Sequence, residues 1–489
     1  MNIPDQPLRV AMAAPEIAPF ARTGGLGDVL GALPKALAAL GVQVSLYMPA
    51  YRCVLQGGFP WEDTGVTLSV PLSGRRESAH VLRTRLDGTV PVYLVRADAY
   101  FDRDHLYGPP GQDYPDNAAR FVVFSRAVLE ALRREPPHIL HCHDWQTALA
   151  IAFLKAQPER YPELRGTKTV FTVHNLGYQG LFWGLDWHLL ELPEGLFSPR
   201  YLEFYGKINF LKGGLVFADA LTTVSPTYAQ EVQTPEYGFG LEGVFRERAQ
   251  DLVGILNGVD DTVWDPQRDP FIVRRYGRRD SASGKAACKA HLQSLLGLTA
   301  DAHTPLLAMV SRLTEQKGID LVMAGWDALM GMGVQFVLLG RGEERYEAFF
   351  QEAAARSPGR VAVRLAFEDA LAHHILAGAD MLLMPSRYEP SGLTQMYALR
   401  YGTVPIVRAT GGLKDTVQEF DPATGQGTGF LFDAYNATAM LEAVGRALRV
   451  YGQPRLWRAL VRNGMGMDFS WERSARAYLA LYERLVGRG

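Results

Sequence analysis

Short apolar runs at residues 8–13, 43–47, 90–95, 139–141 and 167–173 alternate with longer stretches whose apolar positions recur at helical spacing. That rhythm predicts parallel strands wrapped by helices, because strands buried on both faces read as continuous apolar runs. It restarts after Pro266 and Pro270, with runs at 306–310, 335–339, 361–365, 381–384 and 403–407. A second doubly wound α/β domain is therefore expected to follow the first. The turn-rich stretch from Gly254 to Pro266 marks the hinge and puts the boundary near Val259, giving domains at 1–259 and 260–466. Beyond them Ser470 caps a segment with helical apolar spacing, which predicts a C-terminal helix within residues 467–489.

Composition agrees with two ordinary globular domains. A chain of 489 residues is too long for one hydrophobic core, and 47% hydrophobic with 21% charged residues is far from a disordered or fibrous balance. The net charge of -2 argues against a protein that tracks nucleic acid or anionic membrane by bulk electrostatics, so any anion site must be local. Only nine of the 50 basic residues are lysines, which gives each lysine more weight. Cys53, Cys142 and Cys288 lack metal-ligand spacing, and their odd number suits a reducing compartment. The first residues show no basic segment leading into an apolar one, and no run of about 18 uncharged apolar residues occurs. A cytoplasmic protein without membrane or nucleic-acid partners is expected.

In open α/β sheets ligands bind outside the carboxyl ends of the strands, so chemistry is sought just after each run. The first such segment is Arg22-Thr-Gly-Gly-Leu-Gly-Asp-Val29, where adjacent glycines and a helix start suit a phosphate and also suit an ordinary turn. The second, Ser311-Arg-Leu-Thr-Glu-Gln-Lys-Gly318, puts Arg312 and Lys317 on one loop. Two cations there can neutralise a diphosphate, or simply be solvated. The third, Pro385-Ser-Arg-Tyr-Glu-Pro-Ser-Gly-Leu-Thr394, sets Glu389 beside a helix start at Gly392 to Thr394, as sugar ligand or as cap. The fourth pairs His143-Asp-Trp-Gln146 with Thr172-Val-His-Asn-Leu-Gly-Tyr-Gln179, polar and aromatic groups of the kind a sugar needs.

Taken in order, RTGGLGDV, HDW, FTVHNLGYQG, ILNGVD, SRLTEQKG, PSRYEPSGLTQ and ATGGLKD resemble the bacterial glycogen synthase and plant starch synthase family from about Val10 to Leu485. The resemblance implies two facing Rossmann-like domains, the glycosyltransferase B architecture, with the C-terminal helix crossing back to the first domain. It implies no metal and no other cofactor, with Arg312 and Lys317, the Gly24-Gly25 turn and the amides of Gly392, Leu393 and Thr394 holding a diphosphate. By the same resemblance Glu389 binds the donor glucose, His174 and Asn257 hydrogen-bond its hydroxyls, and Phe367 stacks on adenine. Asp28, Asp144 and Trp145 line the donor and acceptor side. Three positions depart from the family pattern: Arg22 replaces a lysine, Gln146 a histidine and Ser391 a cysteine. The position eight beyond Glu389 is Tyr397, so the related paired-glutamate signature is half present.

The activity so implied is retaining transfer of glucose from ADP-glucose to the 4-hydroxyl at the non-reducing end of an α-1,4-glucan, glycogen or a maltooligosaccharide. Catalysis is assigned to Glu389, Arg312, Lys317 and His174. With no second carboxylate evident as a nucleophile, front-side attack is favoured, the leaving diphosphate helping to take the acceptor proton. The rivals are a transferase using UDP-glucose, a phosphorylase, which would carry pyridoxal phosphate on a lysine, and a non-catalytic sugar-binding protein, which would need a secretory signal.

Overall fold

The structure is a computed structural model that describes residues 7–109 and 111–488, and it divides into two units. The first gathers the chain up to Val224, Ala229–Gly258 and the residues from Trp471 on; the second holds Ser225–Tyr228 and Val259–Ser470. No helix among the described residues is long and apolar enough to cross a membrane.

In the first unit nine strands form one sheet. Seven are parallel, in the order Leu252–Gly254, Ala220–Thr223, Lys168–Val173, Ile139–His143, Arg9–Ala13, Gln43–Pro49 and Val90–Arg96. An antiparallel hairpin, Arg75–Leu86 with Glu62–Leu72, extends the far edge. From Arg9–Ala13 the chain first builds outward through Gln43–Pro49 and later returns to Ile139–His143 on the other side. The topological switch point therefore lies at the exits of these two central strands, where α/β sheets bind ligands. The C-terminal helix Trp471–Leu485 packs against the helix Gly25–Ala39, and the Tyr482 hydroxyl pairs with His141 Nδ1 at 2.7 Å. A separate three-stranded sheet, Leu181–Trp183, Lys207–Asn209 and Glu203–Phe204, completes the unit.

The second unit is a six-stranded parallel sheet in the order Val361–Arg364, Gln335–Leu339, Leu306–Val310, Met381–Met384, Val404–Arg408 and Phe430–Phe432. Its alternation explains why these strands read as unbroken apolar runs. Leu307, Met309, Phe336, Leu338, Met381 and Leu383 enter one core, while Leu306, Ala308, Val337 and Leu339 enter another on the opposite face. Here the switch point falls between Leu306–Val310 and Met381–Met384.

Candidate active site

In the second unit both switch-point strands end in the motifs picked out by their residues. The chain leaving Leu306–Val310 forms a turn of 3₁₀ helix, Glu315–Lys317, closed by Gly318 at φ 70°. A Cβ on Gly318 would collide with the Pro385 carbonyl oxygen, so only glycine lets this loop press against the neighbouring strand exit. That approach delivers Lys317 to Glu389: Nζ donates to Oε1 at 2.9 Å and to Oε2 at 2.7 Å. Ser386 Oγ donates to the same Oε2 at 2.9 Å. Glu389 is only 5% exposed, a buried carboxylate held by one cation and one hydroxyl.

The backbone that carries Glu389 is clamped from two sides. Gly412 N–H donates to the Glu389 carbonyl at 3.0 Å and the Pro390 carbonyl at 3.2 Å, and a Cβ on Gly411 or Gly412 would overlap the carbonyl oxygens of Glu389 or Ser391. Ser225 Oγ donates to the Pro390 carbonyl at 2.6 Å, and Thr227 is fixed by Asp415 at 2.7 and 2.8 Å. Ser225–Tyr228 is thus a strap on this turn. Gly392 (φ 66°) and Leu393 then lead into the helix Thr394–Tyr401. Arg312 lies exposed on the same loop as Lys317, and Phe367 is 73% exposed just after the strand Val361–Arg364.

In the first unit the exits of Arg9–Ala13 and Ile139–His143 carry a polar cluster. Gly24 is the N-cap of the helix Gly25–Ala39 and has open space around it, while Arg22 bridges the turn to Asp28 at 2.9 Å. Buried Glu16 braces the turn, accepting from Thr23 N–H at 2.5 Å, Thr23 Oγ1 at 2.6 Å and the Tyr107 hydroxyl at 2.6 Å. Asp144 takes φ 57°, ψ 178°, a region that side chains avoid, and accepts from His174 N–H at 2.7 Å. Burial pushes the Asp144 carboxyl up to about 7, with the Glu16 charge adding to the rise against the backbone donors of His174 and Asn175.

Behind it stands a group of three histidines. His143 Nδ1 and His174 Nε2 share a proton-bearing contact at 3.0 Å, and the His141 ring lies 4.0 Å from that of His143. His141 is itself held by Thr172 Oγ1 at 2.6 Å and by Tyr482. Burial drives all three down, His141 and His174 to about 3 and His143 well below its ordinary value, so all are neutral imidazoles at physiological pH. With Nε2 engaged, Nδ1 is the remaining polar atom of the His174 ring. Asn257 is buried in the same unit.

Trp145 is mostly buried. Its ring is 9% exposed, packed edge-on against Phe121 at 4.9 Å and near Phe182 at 5.5 Å, and a Cβ on Gly180 would lie 2.5 Å from it. It supports the loop after His174 from within. Glu16 was not singled out, and His143 and Ser386 stood inside quoted segments without an assigned role. His143 ends one central strand and Glu16 follows another by three residues, a signal that marks both.

Two α/β units with carboxylate, cations and glycine turns at their switch points define a glycosyltransferase of the B architecture. A family model described as the starch synthase catalytic domain matches residues 9–247, and one described as glycosyl transferases group 1 matches residues 298–461. The chain is 49% identical to a glycogen synthase of Koribacter versatilis, covering 98% of both chains. It is 46% identical to glycogen synthase 2 of Geobacter sulfurreducens, over 97% of this chain and 98% of that one. The catalytic domain of starch synthase IV from Arabidopsis thaliana, solved bound to ADP and acarbose, superposes with a TM-score of 0.90 at 34% identity, covering 99% of this chain and 100% of that one. The chain belongs to the glycogen synthase and starch synthase family.

Proposed function

We propose that this protein lengthens α-1,4-glucans, moving glucose from ADP-glucose to the 4-hydroxyl of a non-reducing end with retention at the anomeric carbon. The observation that carries the reading is the Lys317–Glu389 pair at the switch point of the second unit, a cation and a carboxylate already joined where a sugar diphosphate would lie. The relatives named glycogen synthase, and the starch synthase bound to ADP and acarbose, support the donor and acceptor classes.

In the second unit Lys317 and Arg312 neutralise the diphosphate, with the amides at Gly392 to Thr394 as further donors. Their charge takes the place a metal ion fills in other sugar-nucleotide enzymes. As the bond from anomeric carbon to diphosphate oxygen breaks, the electron pair leaves with ADP, and these groups gain most in the transition state. Glu389 accepts from glucose hydroxyls and opposes the positive charge growing on the sugar ring. The acceptor oxygen attacks from the face the diphosphate is leaving, and its proton passes to a diphosphate oxygen. Phe367 offers an exposed ring for adenine.

In the first unit neutral His174 presents Nδ1 to a sugar hydroxyl, Arg22 and the Gly24-Gly25 turn take phosphate, and Asp28, Asp144 and Asn257 serve sugar hydroxyls. Three free thiols, Cys53, Cys142 and Cys288, fit a cytoplasmic setting. A donor competition tests the reading: glycogen extension from equimolar ADP-glucose and UDP-glucose, with and without EDTA. Extension from ADP-glucose, undiminished by the chelator, is expected. Preference for UDP-glucose would overturn the donor assignment, and loss of activity in EDTA the metal-free one.

A further inference from the structure

We infer that His143 sets the tautomer of His174, so that His174 meets the sugar with an N–H rather than with a bare ring nitrogen. The inference rests on the contact between His174 and a sugar hydroxyl proposed above, and adds the direction of that hydrogen bond and the residue that decides it. Burial keeps both rings neutral, so each carries one N–H and one bare nitrogen. The 3.0 Å contact of His143 Nδ1 with His174 Nε2 holds one proton, which allows two arrangements. In the first, His143 Nδ1–H donates, and the proton of His174 stands on Nδ1. In the second, His174 Nε2–H donates, its Nδ1 is bare, and the proton of His143 stands on Nε2. His143 Nε2 decides between them, because it is buried and has no hydrogen-bond partner among the described residues. The first arrangement leaves a lone pair unfilled there, the second an orphaned N–H, and buried N–H groups without an acceptor are the rarer of the two. His143 is therefore the donor, and His174 the acceptor at Nε2.

The surrounding fold fixes His143 for that role. Its carbonyl accepts from Thr147 Oγ1 at 2.8 Å, and its ring lies against that of His141 with the planes 35° apart. His141 is pinned at both nitrogens, by the Tyr482 hydroxyl and by Thr172 Oγ1, and Thr172 Oγ1 is 2.5 Å from Thr222 Oγ1. The C-terminal helix thus reaches His143 through His141. His143 also pairs in register with Thr172, two residues before His174, so the adjoining strands Ile139–His143 and Lys168–Val173 set the spacing of the two rings. His174 in turn is half-buried, anchored by its backbone N–H on Asp144 and by Nε2 on His143, and no group among the described residues engages its Nδ1. An N–H there can only donate. The sugar oxygen it meets must accept, which leaves the hydroxyl's own proton for a second partner.

Wild type, His143→Asn and His143→Leu test this in the whole chain. The side-chain NH2 of asparagine falls near the place of Nδ1 and can still donate to His174, whereas leucine fills the space without a donor. Nitrogen-15 spectra of histidine-labelled protein in mildly alkaline solution read which ring nitrogens carry protons, with His174→Ala to assign the signals. Expected are a His174 proton on Nδ1 in wild type and in His143→Asn, and a mixture of both tautomers in His143→Leu. Turnover follows: kcat/KM for ADP-glucose stays within about threefold of wild type in His143→Asn and falls roughly tenfold in His143→Leu, the loss of one well-aimed hydrogen bond. Both variants lose the buried ring, so a merely structural role would lower their melting temperature and turnover alike. A wild-type His174 proton on Nε2 overturns the inference, and so does equal turnover in the two variants. The wild-type spectrum alone decides the tautomer should either variant fail to fold. If the spectra come out as expected while wild type transfers no glucose from ADP-glucose, the tautomer assignment stands and the transfer reading falls.

Discussion

Lys317 Nζ spans both carboxylate oxygens of Glu389, at 2.9 and 2.7 Å, although 72 residues separate them in the chain. The pair gives each residue a partner before substrate arrives. On the proposed function, a bound diphosphate would offer Lys317 a second anion and release Glu389 for the sugar. Lys317→Ala should lower kcat by roughly two to three orders of magnitude, the effect of deleting one preorganised charge donor. Glu389→Gln keeps shape and the Ser386 contact but removes the charge. Its kcat should fall by roughly a hundredfold or more with donor affinity close to wild type, while loss of the buried pair with Lys317 lowers the thermal midpoint. Turnover unchanged in either variant would remove that residue from the chemistry.

Gly412 tests the clamp rather than the chemistry. Its backbone conformation is open to any residue, but an added methyl would overlap the Ser391 carbonyl oxygen, and backbone cannot yield cheaply. Gly412→Ala should cost about 1–3 kcal/mol of stability. It should also lower kcat by up to roughly a hundredfold, as expected when a shift of about 1 Å misplaces a reacting group. Chemical denaturation and steady-state kinetics on one preparation check both.

Opposed titrations in the first unit predict a particular pH dependence of stability. The histidines, ordinarily near 6.5, stay neutral in the folded chain, so their contribution is present above 6.5 and lost as pH falls through that value toward about 3. Asp144 is raised from 3.8 to about 7, so its contribution is fullest below 3.8 and lost as pH rises to about 7. Between pH 5 and 6.5 the thermal midpoint should rise with pH. His143→Asn should flatten that rise and Asp144→Asn steepen it, as calorimetry across the interval would show.

Phe367 packs against little, so its removal isolates a ligand role. Phe367→Ala should raise KM for ADP-glucose roughly tenfold and leave the melting temperature unchanged. An unchanged KM would assign the adenine elsewhere.

Both central sheets were legible because parallel strands buried on two faces leave unbroken apolar runs, and the C-terminal helix because Ser470 and its spacing mark it. The hairpin Glu62–Leu72 with Arg75–Leu86 was not. Its strands carry exposed Glu62, Asp63, Arg75 and Arg76 and sit at an edge, so no run stands out. Site motifs were visible where a strand exit coincided with glycine and charge, as at Lys317 and Glu389. Their direct pairing was not, since it depends on Gly318 letting two distant loops touch. The packing of Trp145 was hidden for the same reason: only the fold shows Gly180 and Phe121 closing on its ring.

The most direct measurement follows the sugar itself. With ADP-glucose labelled with carbon-13 at the anomeric position and maltotriose as acceptor, nuclear magnetic resonance reads the new linkage while released ADP is counted. The predicted result is an α-1,4 bond at the non-reducing end and one ADP for each glucose transferred. A β linkage, growth at the reducing end, or label that moves from UDP-glucose and not from ADP-glucose would contradict it.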